Sequence, residues 1–249
     1  MSTATLNKLV AIETKLVFRD LLLPLLGIGL PLGLLLIFGS IPAVRHPDQD
    51  LGGLRGIDTV IPSLSIAVAL AMVGFVMLPA YLTTYRERGV LRRLATTPVR
   101  PAALLGAQLL IHLAMTLGAV ALVLGIGTTT MDMTLPKHPL GFLLALALSI
   151  LALFSIGLLV AAVAAGPKVA NGVGMGLWFV SAFFAGIYLP KEVMPHALSR
   201  IGDFTPLGAA RQSIQDAWGG SGPQPLHLVV LAAVSLIAGT AAVRLFRWR

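Results

Sequence analysis

The sequence predicts an all-α integral membrane protein with six transmembrane helices, and three observations carry that prediction. Of its 249 residues, 57% are hydrophobic and only 11% are charged, whereas an ordinary soluble domain is about 25% charged. A soluble core this apolar would leave too little polar surface to face water. Six stretches reach the roughly 20 mostly apolar residues that a span needs: 21–41, 60–81, 102–127, 140–165, 172–189 and 226–246. The connections between them are charged asymmetrically. If the six stretches alternate across the membrane, one side holds 12 basic residues and three acids, the other six and seven. Lysine and arginine gather on the cytoplasmic side of membrane proteins, so both termini are expected in the cytoplasm. The formal net charge of +8 would point to nucleic acid in a soluble protein. Here it is read as the inward bias, and no nucleic-acid partner is expected. The chain has no cysteine, which excludes disulfides and thiolate metal sites.

The elements follow in order. Residues 1–20 precede the first apolar run. That run is too long for the core of a signal peptide and no small-residue cleavage site follows it, so it is expected to be retained. At 100° per residue, Leu6, Leu9, Val10, Leu16 and Val17 share one face, with Lys8, Lys15 and Arg19 opposite. This is the pattern of a helix lying in the headgroup plane. Glu13 interrupts the apolar stripe; it either reaches water at the membrane edge or pairs with an arginine of the basic stretch 86–93. Pro24, Pro31 and Pro79 allow bends in the first two spans. The fourth and fifth spans are separated only by the tight turn 166–171. In the fifth, Gly172, Gly174 and Gly176 allow close helix contact, as at a dimer seam. In the external segment 190–225, Pro195 can open a short helix that Gly202 ends. Thr205 and Pro206 can cap and start another, with Leu207, Ala210 and Ile214 on one side. Such a helical hairpin can re-enter the membrane only where protein or water satisfies its backbone. There is no internal repeat, and residues 1–249 read as a single membrane domain.

The stretch 86–98 is a basic island between the second and third spans. Thr84 and Glu87 have capping-box spacing, which predicts a helix starting afresh there. On a helical wheel Val90, Leu91 and Leu94 cluster, Arg88 and Arg92 flank one edge, and Arg93 flanks the other. Thr97 and Pro98 end this helix, and Pro101 suits the first turn of the third span. Two readings stand. One is a basic loop that only fixes topology; the other is a docking surface, which the apolar face favours.

Several chemistries are missing from the sequence. There is no G-x-x-x-x-G-K-[ST] loop for phosphates, no H-E-x-x-H and no paired carboxylate inside a span. No catalytic residue, metal or cofactor is therefore expected in this chain. His112 is the one histidine well inside a span, with Gln108 one turn earlier; it reads either as a polar contact between helices or as a relay or ligand. Ion-coupled carriers usually hold several intramembrane acids or bases, and the missing acids argue against a secondary transporter. Met72 and Phe75 in the second span, with Trp178, Phe179, Phe183 and Phe184 in the fifth, form a candidate apolar substrate path. The alternative is that these six only pack or face lipid.

The run Glu87-Arg88-Gly89-Val90-Leu91-Arg92-Arg93-Leu94-Ala95-Thr96-Thr97-Pro98 resembles the cytoplasmic loop of ABC-2 type transporter permeases. Phe183-Phe184-Ala185-Gly186-Ile187-Tyr188-Leu189-Pro190 is similar to the family's second hallmark, an aromatic–Gly–Pro run leading out of the fifth span. The resemblance covers nearly the whole chain and looks closest to the daunorubicin-resistance permease branch. It implies the ABC-2, or type V exporter, fold, in which 86–98 is a coupling helix docked in a groove of a separate ATPase subunit. The residues carried over are Glu87, Arg88, Gly89, Leu91, Arg92, Leu94 and Pro98, with Glu13 bracing the same junction. The implied partners are a dimer of ABC ATPase subunits that binds the ATP and Mg, a second permease subunit, identical or sibling, and the lipid bilayer. The implied setting is the bacterial cytoplasmic (inner) membrane. The implied task is ATP-driven export of an amphipathic drug-like or lipid-like molecule, as in multidrug efflux and antibiotic resistance. A polysaccharide or haem exporter permease, and a non-transporting anchor that recruits a cytosolic partner, stand as alternatives.

Overall fold

The computed structural model of the protein describes residues 25–49, 51–88, 101–189, 191–220 and 222–245. The interfacial helix expected over 1–20 and most of the basic island lie outside these residues. Helix α1 runs Leu25–Gly39 and opens with a π-helical turn over Leu25–Gly29. Helix α2 begins as Val60–Ala71, widens into a π-helix over Met72–Met77 and resumes as Leu78–Glu87. Then come α3 (Pro101–Thr130), α4 (Pro139–Val163), α5 (Pro167–Phe184), α6 (His196–Phe204), α7 (Pro206–Gly219) and α8 (Pro225–Leu245). Helices α3, α4, α5, α7 and α8 all start on a proline. The first helical position loses nothing by lacking an N–H, and the ring presets φ.

Among the described residues, four helices are long and apolar enough to cross a membrane: Gly56–Glu87, Leu104–Thr130, Pro139–Val163 and Pro225–Leu245. Helix α1 is a shorter apolar helix. Helix α5 has 18 residues and is displaced from the expected 172–189. It starts five residues earlier, on Pro167 directly after Gly166, and stops at Phe184. The stop is a Schellman turn. Gly186 adopts φ +75°, Ile187 N–H donates to the Ala182 carbonyl at 3.0 Å, and Gly186 N–H donates to Phe183 at 3.0 Å.

Two further expectations are corrected. Gly202 does not end α6, which continues to Phe204; it serves close packing instead, beside the Phe184 and Gly208 backbones. Thr84 does not start a new helix, because its hydroxyl donates back to Ala80 O at 2.8 Å inside a continuous α2. The Thr205 cap is present, its hydroxyl accepting from Gly208 N–H at 3.2 Å. Between α1 and α2 lies a small antiparallel hairpin, β1 (Pro47–Asp48) with β2 (Leu54–Arg55) and Pro47 opposite Arg55. Its turn uses Gly52 and Gly53 at φ +64° and +81°, where a side chain would be strained.

Helix α2 is the centre of the bundle, packed against α1, α3, α4, α5 and α7. Of its most apolar window, 89% is buried, against 22% for α8, which packs mainly on α4. The π-helix has an identifiable cause and a matching partner surface. Leu78 N–H bonds Val73 O, one residue further back than in an α-helix, so Gly74 O loses its α-helical donor. Pro79 has no N–H, so Phe75 O loses its α-helical donor as well. These two carbonyls are met by two glycines. A Cβ on Gly157 of α4 would overlap Gly74 O, and a Cβ on Gly174 of α5 would overlap Phe75 O. Backbone approach this close permits Cα–H···O contacts worth about 0.5–1 kcal/mol each. Gly174 is thus occupied inside the chain, whereas Gly172 and Gly176 are exposed with open space around them.

Candidate functional site

The basic island follows directly on the last turn of α2. The residue at its root, Arg86, is in the sequence one positive charge among several. Arg86, half-buried, donates from Nη1 to Ala161 O at 3.2 Å and from Nη2 to Ala164 O. These are carbonyls of the last turn of α4 and the residue just past it, which have no intrahelical donors. A guanidinium also complements the negative end of a helix dipole. Arg86 therefore ties the point where the chain enters the basic island to the α4–α5 turn. Glu87 and Arg88 follow at the exposed end of α2, with Arg88 N–H closing the last turn on Thr84 O at 3.0 Å. Gly89, Leu91, Arg92, Leu94, Pro98 and Glu13 lie outside the described residues.

The six candidate path residues separate into two environments. Met72, Phe75 and Trp178 are buried in the core. Phe75 belongs to the π-segment itself, with Gly174 against its carbonyl. Phe179 is exposed and stacks on Tyr188 with ring centroids 6.4 Å apart, while Phe183 and Phe184 meet edge-to-face at 5.4 Å. His112 is fully buried in α3. Its Nδ1 lies 2.8 Å from Gln108 O, and the Tyr81 ring of α2 meets it edge-on at 5.4 Å. His112 thus touches a neighbouring helix through ring packing.

At the other end of the bundle the loops are knitted by polar contacts. Arg55 pairs with Asp58 at 2.5 Å and also donates to Asp132 O at 2.8 Å; its hydrogen bond to the Asp58 carboxylate holds the guanidinium pKa above the ordinary value. Asp58 accepts from Thr134 N–H at 2.7 Å, and Thr134 O accepts from Trp218 Nε1 at 2.7 Å. Beside this, Lys191 pairs with Asp203 at 2.6 Å. Buried His227 at the start of α8 lies 3.7 Å from Asp203 and 3.8 Å from Asp216. Gln212 and the Gln224 N–H engage Asp216 at 3.1 and 3.4 Å.

Arg211 of α7, only 3% exposed, donates from Nη1 to Ala185 O at 2.7 Å. It borders a cavity of about 300 Å³ between α1, the start of α2, the Schellman turn and α7. None of the six candidate path residues is among those lining it. In the sequence Arg211 is one charge in the segment 190–225. Nothing in its neighbours Ala210 and Gln212 signals that it is buried.

The family model for the ABC-2 type transporter matches residues 6–217, and the chain belongs to that family. No curated protein matches it. The chain is a multi-pass membrane protein and the membrane component of an ABC transport system. Permeases of this family work with an ATPase subunit.

Proposed function

We propose that this chain is the permease subunit of an ATP-driven exporter that moves an amphipathic drug-like or lipid-like molecule out across a bacterial cytoplasmic membrane. It has six spans, with α1 and α5 crossing beside the four long helices and both termini in the cytoplasm. At about 1.5 Å per residue, the 18 residues of α5 reach about 27 Å, close to the thickness of the apolar core of a bilayer. Two permeases pair about a two-fold or pseudo-two-fold axis, above two ATPase subunits that hold ATP and Mg. Closure of the ATPases pushes the coupling helices at 86–98, and the permeases alternate between inward and outward openings.

The observation that supports this reading best is the root of the island. Helix α2 is the most buried of the four long helices. Its last turn is fastened through Arg86 to the end of α4, so force applied to 86–98 reaches two helices at once. Helix α2 packs in turn against α1, α3, α5 and α7. A force delivered to a peripheral helix such as α8 would move far less of the bundle.

The double substitution Arg92→Glu with Leu94→Asp reverses one flanking charge and removes one apolar contact of the docking face. The expected result is loss of the co-purifying ATPase and of transport, with the permease still in the membrane. Retention of both would overturn the coupling role. A wild-type permease that binds no P-loop ATPase would favour the anchor.

A further inference from the structure

The bundle is fastened at both ends and interrupted between them. At one end Arg86 ties α2 to the end of α4. At the other, Arg55, Asp58, Thr134 and Trp218 knit the loops together. Helices α3, α4 and α8 run between these ends without a break. Among the described residues, π-helical turns occur only in α1 and α2.

The two turns share a sequence pattern and a level. In α1, Leu25–Gly29 is followed by Leu30 and Pro31; in α2, Met72–Met77 is followed by Leu78 and Pro79. Neither proline has an N–H, so Gly27 O loses its α-helical donor as Phe75 O does. The wide turn also makes room for a ring that would otherwise press on that same carbonyl. Sharp bends in helices fall at prolines and at π-turns, and each of these helices has both. The turns pack on one another. Gly27 is buried between them, and a Cβ there would lie 3.0 Å from Met77 Sδ and 3.5 Å from both Val73 Cγ2 and Met115 Cε of α3.

The packing at this level suits a pivot. Gly157 and Gly174 hold Gly74 O and Phe75 O at a fixed point of α2, and neither glycine has a side chain that would interlock with a turning helix. Around that point Met72, Met77 and Met115 are buried. Unbranched thioether side chains adapt to a changing gap. In the sequence, α1 follows the amphipathic stretch 1–20 and α2 leads into the basic island. The two interrupted helices are therefore the two that adjoin those segments.

We propose that the paired π-turns are a pivot. The arm of α2 from Leu78 to Glu87 swings about the contacts with Gly157 and Gly174, and α1 bends at the same level to follow it. The rest of the bundle stays with the knitted loops. Two positions result: the one seen here, clamped on α4 by Arg86, and one swung away. The 10 residues of the arm reach about 15 Å, so a bend of about 20° carries Glu87 by about 5 Å. The source of the push rests on the exporter reading; the movement belongs to the permease chain alone.

The test uses the full-length permease alone in nanodiscs, where the lack of cysteine permits clean spin-labelling in pairs. Glu87→Cys with Thr240→Cys runs from the arm to the exposed face of α8. Lys168→Cys with Thr240→Cys joins two exposed positions off the arm. Double electron–electron resonance is expected to give two Glu87–Thr240 distances about 5 Å apart and one narrow Lys168–Thr240 distance. Arg86→Gln releases the clamp and should at least double the swung population. Pro31→Ala with Pro79→Ala restores both N–H donors and should collapse the two distances into one. If that pair does not fold, Pro79→Ala alone and deletion of Val76, which removes the extra residue of the π-turn, are read in its place with the same expected collapse. A single Glu87–Thr240 distance in both the wild type and Arg86→Gln would overturn the pivot. So would two distances that persist unchanged in the proline and deletion variants. No ATPase takes part, so either result leaves the exporter reading to its own test, ATPase capture.

Discussion

Arg86 sits 75 residues away in sequence from the Ala161 carbonyl it meets. Replacing it with glutamine removes the charge and at least one of the two bonds to the end of α4. Hydrogen bonds from charged donors contribute about 1.5–3 kcal/mol. Arg86→Gln is therefore expected to lower the thermal unfolding midpoint in detergent by several degrees. Arg86→Lys keeps a cation at the helix end without the fork, and should fall between the two. A wild-type midpoint for Arg86→Gln would show that the clamp holds nothing. In a coupled transporter, the glutamine variant should also keep its ATPase bound while transporting less, because the docking residues Arg92 and Leu94 are untouched. Along the chain Arg86 is one more arginine in a basic loop, and positive charge there was legible as topology. Its fastening role was not, because that depends on where α4 ends in space. Arg211 follows the same rule: the sequence shows its charge, and only the packing of α7 shows that the charge is buried.

At the scale of elements, the central helix and its glycines act as one device. Pro79 was legible as a source of bending in α2. Its effect on Phe75 O follows from the chemistry of proline, and the π-helix over Met72–Met77 displaces Gly74 O in the same way. Which residues would meet those carbonyls was not legible, because Gly157 and Gly174 come from two other helices. Helix α5 carries three glycines at alternate positions, and at 100° per residue Gly174 points away from Gly172 and Gly176. The fold shows which of the two faces meets a neighbour within the chain. Gly174→Ala is expected to cost about 1–3 kcal/mol, the usual range for overpacking, because its Cβ would meet backbone that cannot move aside. Gly157→Ala should behave in the same way against Gly74 O. Gly172→Ala and Gly176→Ala meet nothing within 4 Å, and should leave the single chain as stable or up to about 1 kcal/mol more stable through helix propensity. Thermal unfolding of the four variants in detergent separates the two classes. If Gly174→Ala unfolds like Gly176→Ala, the carbonyl contact is not a constraint. If Gly172→Ala or Gly176→Ala weakens pairing of two permeases in a cross-linking assay while leaving the melting temperature alone, the outer face of α5 is the seam.

For the whole molecule, the long-range hydrogen bonds sort the loops into two ends. Arg55 and Asp58 meet Asp132 and Thr134, Thr134 meets Trp218, and His138 N–H donates to Ala217 O at 3.0 Å. The α1–α2 loop, the α3–α4 loop and the end of α7 therefore share one end of the bundle. The end of α2 and the α4–α5 turn share the other, through Arg86 and Ala164. That successive loops fall at opposite ends was legible in the sequence, because apolar runs and polar loops differ so strongly in composition. The contacts within each end were not, since their partners lie 77 and 84 residues apart. Which end faces the cytoplasm is an expectation from charge: if the six apolar stretches alternate, the side that holds Arg86 has 12 basic residues against three acids, and that side should be inside. The lack of cysteine makes this directly testable with single substitutions at exposed positions. In intact cells, a membrane-impermeant maleimide should label Gln49→Cys and Lys137→Cys. It should label Arg88→Cys and Lys168→Cys only after the membrane is opened. The reverse pattern would turn the whole chain over and place the basic island on the side without ATP. Labelling of Arg88→Cys from outside, with Lys168→Cys still protected, would break the alternation that puts both at one end.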